Sequence, residues 1–152
     1  MITNIVILYP FLLVLFSLLL KRYKVSKFLN FIISISIIFI TNIICREAVK
    51  YLEPGDYIAY IKVFDACSSI KDCLIYSPFE NGFNLLIGFL REYLNLNGFD
   101  VWSIINFTNL ILITIVSRTL SNYFGEKNKF LSIQTLIIAF TFPSFLLISI
   151  RA

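Results

Sequence analysis

The chain has 152 residues, of which 59% are hydrophobic, 16% aromatic and 14% charged, and its formal net charge is +4. Soluble domains carry about 25% charged residues, so this composition indicates a membrane protein. Lys and Arg in cytoplasmic loops account for the positive charge, and no nucleic-acid partner is expected. The chain contains no histidine, which excludes a histidine nucleophile relay or a histidine-ligated metal within it.

Four apolar runs predict an all-α, polytopic membrane helix bundle. A hydrocarbon core of about 30 Å needs about 20 apolar residues per helix. The runs lie at about 2–20, 28–45, 101–120 and 130–150. No basic residue precedes the first run and no small-residue cleavage pattern follows it, so it does not read as a cleaved signal peptide.

Basic residues predict the orientation of these helices. The cluster KRYKVSK, Lys21–Lys27, follows the first run. The positive-inside rule places it in the cytoplasm and the N-terminus outside. Residues 46–100 then form one long outer (periplasmic) loop.

A further crossing within this loop is not expected. Only ten uncharged residues, Asn81–Leu90, lie between Glu80 and Arg91, which is too short to span a bilayer. Without a crossing, the bases Arg118, Lys127 and Lys129 lie on the cytoplasmic side, as the positive-inside rule favours.

The outer loop contains eight of the nine acidic residues of the chain and five bases. A loop longer than about 15 residues is expected to have structure or function of its own. Its first predicted helix is Asp56–Cys67, after the turn at Pro54-Gly55, with Asp56 as N-cap. One face of this helix carries Tyr57, Tyr60, Ile61 and Phe64, which suits the membrane surface.

The second predicted helix of the loop opens with Ser77-Pro78-Phe79-Glu80, which has the form of a capping box with Pro78 at the first helical position. An apolar stripe then follows at Phe79, Phe83, Leu86, Leu90 and Leu94. This helix too is expected to be interfacial or to pack under the bundle. For both Asp56 and Glu80, the alternative to a functional role is a purely structural one as a helix cap.

The cysteines give a further expectation. Cys67 and Cys73 both lie in the outer loop, and in an oxidising compartment they are a candidate disulfide, two unpaired thiols being the alternative. Cys45, in an apolar run, reads as a packing residue. No carboxylate triplet with metal-ligand spacing is present, and no cofactor is expected. A metal ion shared by Asp56 and Glu80 remains an open alternative.

Three short blocks of the chain resemble the EpsG-type, Wzy-like polysaccharide polymerases. The blocks are Arg46 followed by GDYIAYIKVF (55–64), FENGFNLL (79–86) and PSFLLISIRA (143–152). The family's Thr before Asp is missing here, and Ala152 stands where the family has Gln after Arg. Family members have more membrane helices, so the resemblance implies an N-terminal part of such a polymerase, inactive by itself.

The resemblance implies a multi-pass protein of the bacterial inner membrane that joins undecaprenyl-pyrophosphate-linked oligosaccharide repeats into O-antigen, capsule or exopolysaccharide on the periplasmic side. Its partners would be that substrate, the bilayer, and a chain-length regulator and flippase of the same pathway. Asp56 and Glu80 would be the catalytic acids, one of them taking the acceptor proton. The substrate-binding residues would be Arg46, Tyr57, Tyr60 and Arg151, the arginines gripping the pyrophosphate or the sugar.

Two alternatives remain at the level of sequence. The first is a membrane glycosyltransferase that uses a polyprenyl-phosphate sugar donor, which would also place an acid in the first outer loop. The second is a non-enzymatic membrane protein or an inactive remnant of a polymerase.

Reporter fusions test the predicted orientation. Fusions near Ser69 and Asn97 should report an outer location, and fusions near Lys24 and Lys127 a cytoplasmic one, because basic loops are retained inside. An outward-facing Lys127 would contradict the prediction and make the helix after Glu80 a true crossing.

Overall fold

A computed structural model describes residues 2–20, 26–52, 55–125 and 129–147, without the side chains of 2–4, 27, 51–52, 55–57 and 143–147. Every regular element in these ranges is an α-helix. In chain order the helices are α1 (Ile2–Leu20), α2 (Lys27–Leu52), α3 (Gly55–Ala66), α4 (Ile70–Tyr76), α5 (Asn81–Leu94), α6 (Gly98–Tyr123) and α7 (Phe130–Leu147). The predicted all-α class is therefore confirmed.

Each of the four predicted apolar runs is helical over its described residues. Two helical segments, Phe28–Lys50 and Gly98–Tyr123, are long and apolar enough to cross a membrane. The apolar segments described in the other two helices, Ile5–Leu20 and Phe130–Phe142, are shorter. Both long helices continue past the predicted runs, α2 to Leu52 and α6 from Gly98 to Tyr123.

The long helices pack into one bundle whose outward surface is apolar. α1 packs mainly on α7, α7 also contacts α6 and α2, and α2 contacts α6. Only 28% of the apolar window in each of the two long segments is buried. Large side chains such as Phe11 and Phe140 face outward, with 66% and 77% of their surface exposed. A soluble protein would bury such helices, whereas a bilayer solvates them.

Hydrogen bonds between buried polar side chains join the helices of this bundle. Tyr9 Oη lies 2.6 Å from Thr41 Oγ1, and Ser17 Oγ lies 2.8 Å from Ser132 Oγ. The Gln134 amide donates to Thr114 Oγ1 at 2.9 Å. Such bonds average about 0.6 kcal/mol each in membrane bundles, so they specify which helices meet more than they hold them together.

The helices α3, α4 and α5 form a loop subdomain, residues 55–94, packed against the first turns of α6. The predicted helix Asp56–Cys67 corresponds to α3, and its predicted face is buried at Ile61 and Phe64. Because α3 begins at Gly55, Asp56 lies just inside the helix rather than at the predicted N-cap. α4 has no counterpart among the predicted helices, and its N-cap Ser69 accepts a hydrogen bond from the Asp72 amide.

The predicted capping box at Ser77–Glu80 is wrong. Ser77 is the C-cap of α4, and its N–H bonds to the Cys73 carbonyl. Pro78 forces an extended conformation on the residue before it, so α4 ends there. α5 begins only at Asn81, with Glu80 at the N-cap position but without a side-chain cap hydrogen bond.

The predicted apolar stripe of this helix is only partly correct. Leu90 is buried, but Leu86 and Leu94 are 46% and 53% exposed, and Ile87 and Gly88 are buried instead. The reason is α4, which packs along α5 and covers Gly88. With 14 residues, α5 is about 21 Å long and too short to cross the bilayer.

Gly88 allows α4 and α5 to approach closely. A Cβ at Gly88 would lie 2.5 Å from the Ile70 Cα, whereas a Cβ at Gly82 in the same helix would meet nothing within 4 Å. Gly88→Ala should therefore destabilise the protein by about 1–3 kcal/mol, because a backbone contact must shift. Gly82→Ala is the matched control and should stabilise it by up to about 1 kcal/mol through helix propensity.

Thermal unfolding of the purified variants in phospholipid nanodiscs measures both effects. Equal melting temperatures for Gly88→Ala and Gly82→Ala would contradict the close packing of α4 on α5.

Candidate functional site

Arg46 forms an ion pair at the end of α2 that faces the loop subdomain. Its Nη2 donates to Asp100 Oδ1 at 2.7 Å, and the two side chains are 46% and 30% exposed. Asp100 lies in the first turn of α6, after the N-cap Asn97, whose side chain accepts from the Asp100 amide. The pair therefore joins the C-terminal part of α2 to the N-terminus of α6.

Further hydrogen bonds join α2 and α6 next to this ion pair, and we call this line of contacts the α2–α6 seam. The Asn42 amide donates to Ser103 Oγ at 3.0 Å, and the Asn106 amide donates to Asn42 Oδ1 at 2.8 Å. Asn42 is one helical turn from Arg46, so the seam is a ladder of polar groups within two apolar helices. It holds α2 and α6 in one antiparallel register.

Arg46 lines a cavity of about 350 Å³ at the end of this seam. The other lining residues are Ile43, Glu47, Lys50, Asn97 and Phe99. Ile43, Arg46, Glu47 and Lys50 stand at positions i, i+3, i+4 and i+7 and share one face of α2. The N-terminus of α6, with its positive end of the helix dipole, lies beside them. We call this the Arg46 cavity.

A second cavity, of about 300 Å³, lies between the loop subdomain and α6. It is lined by Tyr60, Phe64, Phe79, Phe83, Trp102, Ile105, Asn106 and Asn109. The Tyr60 and Phe79 rings lie 5.4 Å apart, and the Phe79 and Phe83 rings 5.3 Å apart. Tyr60, predicted to bind substrate, therefore lies in an aromatic cavity that Arg46 does not line.

Arg91 is the structural centre of the loop subdomain. Its Nε donates to the Cys67 carbonyl at 3.0 Å and its Nη2 to the Asp65 carbonyl at 3.3 Å, at the end of α3. Its Nη1 donates to the Leu96 carbonyl. A guanidinium that satisfies carbonyls at a helix end is a stabilising contact, because those carbonyls lack helical partners.

Several acids of the loop also have structural partners. Asp65 Oδ1 accepts from the Gly98 amide at 2.6 Å, and Glu92 Oε2 accepts from the Ile70 amide at 2.9 Å. The Asp72 carboxylate accepts from Ser68, and this hydrogen bond is the main cause that lowers the pKa of Asp72, the Ser69 hydroxyl adding to it. These acids position helix ends and are poor candidates for chemistry.

The predicted site residues do not all meet in the described part of the chain. Glu80 is exposed and lines neither cavity. The side chains of Asp56 and Tyr57, and the whole of Arg151, lie outside the described residues. Their roles stay predictions, as does a metal shared by Asp56 and Glu80. Among the described residues no group of three metal-ligating side chains occurs.

The sequence analysis missed Asp100 and Asn97 as site residues. The pattern Asn97-x-x-Asp100 is a helix N-terminus signature and would have placed an acid in the first turn of α6. What it does not show is that this turn lies beside Arg46.

Cys67 and Cys73 are both free and buried in the structure. Burial, and then the interaction with the neighbouring Cys67 thiol, raises the pKa of Cys73 to about 12. Cys73 is therefore a protonated thiol at neutral pH and a weak nucleophile. The disulfide between Cys67 and Cys73 stays a prediction, and the structure places the two thiols next to each other.

No protein-family model matches the chain, and no curated protein or solved structure is significantly similar to it. The likeness to polysaccharide polymerases therefore rests on the three short blocks of sequence.

Mass mapping without reductant tests the thiol pair. In protein exported to an oxidising compartment, the peptides containing Cys67 and Cys73 should be disulfide-linked, which would stabilise the loop subdomain by about 2 kcal/mol. Cys45, buried in α2, is the internal control and should stay free. Recovery of all three as free thiols would exclude the disulfide.

Proposed function

We propose that the chain is part of a bacterial inner-membrane polysaccharide polymerase, and that the Arg46 cavity holds the pyrophosphate of a lipid-linked oligosaccharide. The observation that carries this proposal is the state of Arg46. A guanidinium has five N–H donors, and in the described part of the chain only Nη2 of Arg46 is bonded, to Asp100. The remaining donors are available to an anion.

The surroundings of Arg46 favour a phosphate. Lys50 and the N-terminus of α6 add positive potential to the same cavity, and both are common phosphate partners. Arginine grips phosphate through two parallel N–H bonds, which gives orientation as well as affinity. Asp100 would hold the guanidinium plane in place through one nitrogen while the other donors face the ligand.

The position of the cavity suits a substrate anchored in the bilayer. We place four helices, α1, α2, α6 and α7, across the membrane, because apolar side chains of each face outward. The Arg46 cavity then lies at the outer end of α2 and α6, the level at which a lipid-linked pyrophosphate sits. The N-terminus is outside in this arrangement.

The aromatic cavity supports a sugar substrate. Its ring faces, with the carboxamides of Asn106 and Asn109, combine apolar surface with a few polar groups, as small-molecule sites do. Tyr60 would contact the sugar there. Arg151, Asp56 and Tyr57 keep their predicted roles in this proposal.

Substitution of Arg46 tests the proposal. Arg46→Lys keeps the charge opposite Asp100 but loses the planar fork, so polymer output should fall by about tenfold or more, nearly as far as with Arg46→Ala. The measurement is the length distribution of the polysaccharide made by the strain that encodes the chain, at matched protein level.

Lys71→Ala is the control, because Lys71 is exposed on α4 and lines neither cavity. A normal polymer ladder with Arg46→Ala would contradict the proposal. A normal ladder with loss of a single sugar decoration would instead favour a glycosyltransferase that uses a polyprenyl-phosphate donor.

A further inference from the structure

The Arg46 cavity contains a carboxylate without a structural task. Glu47 lines the cavity beside Arg46 and Lys50 and is partly buried. Within the described part of the chain, its carboxylate accepts no hydrogen bond and makes no ion pair, because Arg46 is paired with Asp100 instead.

The other acids near this end of the bundle differ from Glu47. Asp65, Glu92 and Asp100 accept hydrogen bonds that fix helix ends or the seam. Glu80 is exposed and lies outside the Arg46 cavity. Of the carboxylates whose side chains are described, Glu47 alone lines that cavity.

We infer that Glu47 is the general base of the Arg46 cavity, which takes the proton of the acceptor sugar hydroxyl. This inference rests on the proposed function and assigns the transfer of the acceptor proton to Glu47 in place of Asp56 or Glu80. A base must lie within hydrogen-bond reach of the hydroxyl that attacks. If Arg46 holds the pyrophosphate, the attacking hydroxyl must approach the sugar carbon attached to that group, and Glu47 lies one residue from Arg46.

The step is a substitution at the anomeric carbon of the donor sugar. The acceptor oxygen forms a bond to this carbon as the bond from the carbon to the pyrophosphate oxygen breaks. The hydroxyl proton passes to a Glu47 carboxylate oxygen. The pyrophosphate leaves with the electron pair, and Arg46 and Lys50 hold its negative charge.

A comparison of two conservative variants tests the assignment. Glu47→Gln keeps shape and removes the base, so polymer output in the strain that encodes the chain should fall by about 100-fold or more. Lys71→Gln is the control and should leave the polymer ladder unchanged, because Lys71 is exposed on α4 and lines neither cavity.

A binding measurement separates a base from a residue that merely shapes the cavity. Inorganic pyrophosphate is titrated into the purified chain in phospholipid nanodiscs by calorimetry. Glu47→Gln should bind pyrophosphate as tightly as the unmodified chain or a few-fold more tightly, because a negative charge beside the anion is removed. Arg46→Ala should lose this binding.

Loss of polymer with Glu47→Gln, together with retained pyrophosphate binding, supports the assignment. A normal ladder with Glu47→Gln overturns it, and so does a joint loss of polymer and pyrophosphate binding in that variant. If Arg46→Ala keeps both polymer and pyrophosphate binding, the proposed function itself fails, so the two failures are distinguishable.

Discussion

The contact between α2 and α6 is the constraint on which the rest of the described structure depends. Asn42, Ser103 and Asn106 bond across it within the apolar helices, and Arg46 and Asp100 close its end. Polar groups in apolar helices are costly unless matched, so these contacts favour the register in which the two helices meet. That register places the Arg46 cavity and the start of α6, on which the loop subdomain packs.

The loop subdomain shows how a charged loop is ordered beside an apolar bundle. Arg91 satisfies carbonyls at the end of α3 and after α5, Asp65 receives the Gly98 amide, and Glu92 receives the Ile70 amide. These charges terminate short helices that have little core of their own. Their use in structure explains why so many charged residues gather between the two long apolar helices α2 and α6.

Glu47 and Arg46 illustrate a different use of charge. Arg46 has one partner and several remaining donors, and the Glu47 carboxylate has no partner in the described part of the chain. The hydrogen-bonding capacity left on this pair of opposite charges is what the proposed ligand would use.

The sequence by itself determined the helical class, the four apolar runs and the existence of α3. Each depends on local composition or on a periodicity of 3.6 residues, which a single segment carries. It failed at Ser77–Glu80, because a capping-box pattern cannot reveal that Ser77 already ends α4. It also failed on the buried face of α5, since that face depends on α4 as a neighbour.

Only the tertiary structure decided the partners of the charges. The pairing of Arg46 with Asp100, 54 positions away, follows from the register of α2 against α6, and no local pattern contains it. For the same reason the sequence pointed to Glu80, which lies within a recognisable motif, and only packing showed that Glu47 lines the Arg46 cavity. A cavity is formed by side chains from separate segments, so the residues that line it are determined by tertiary packing.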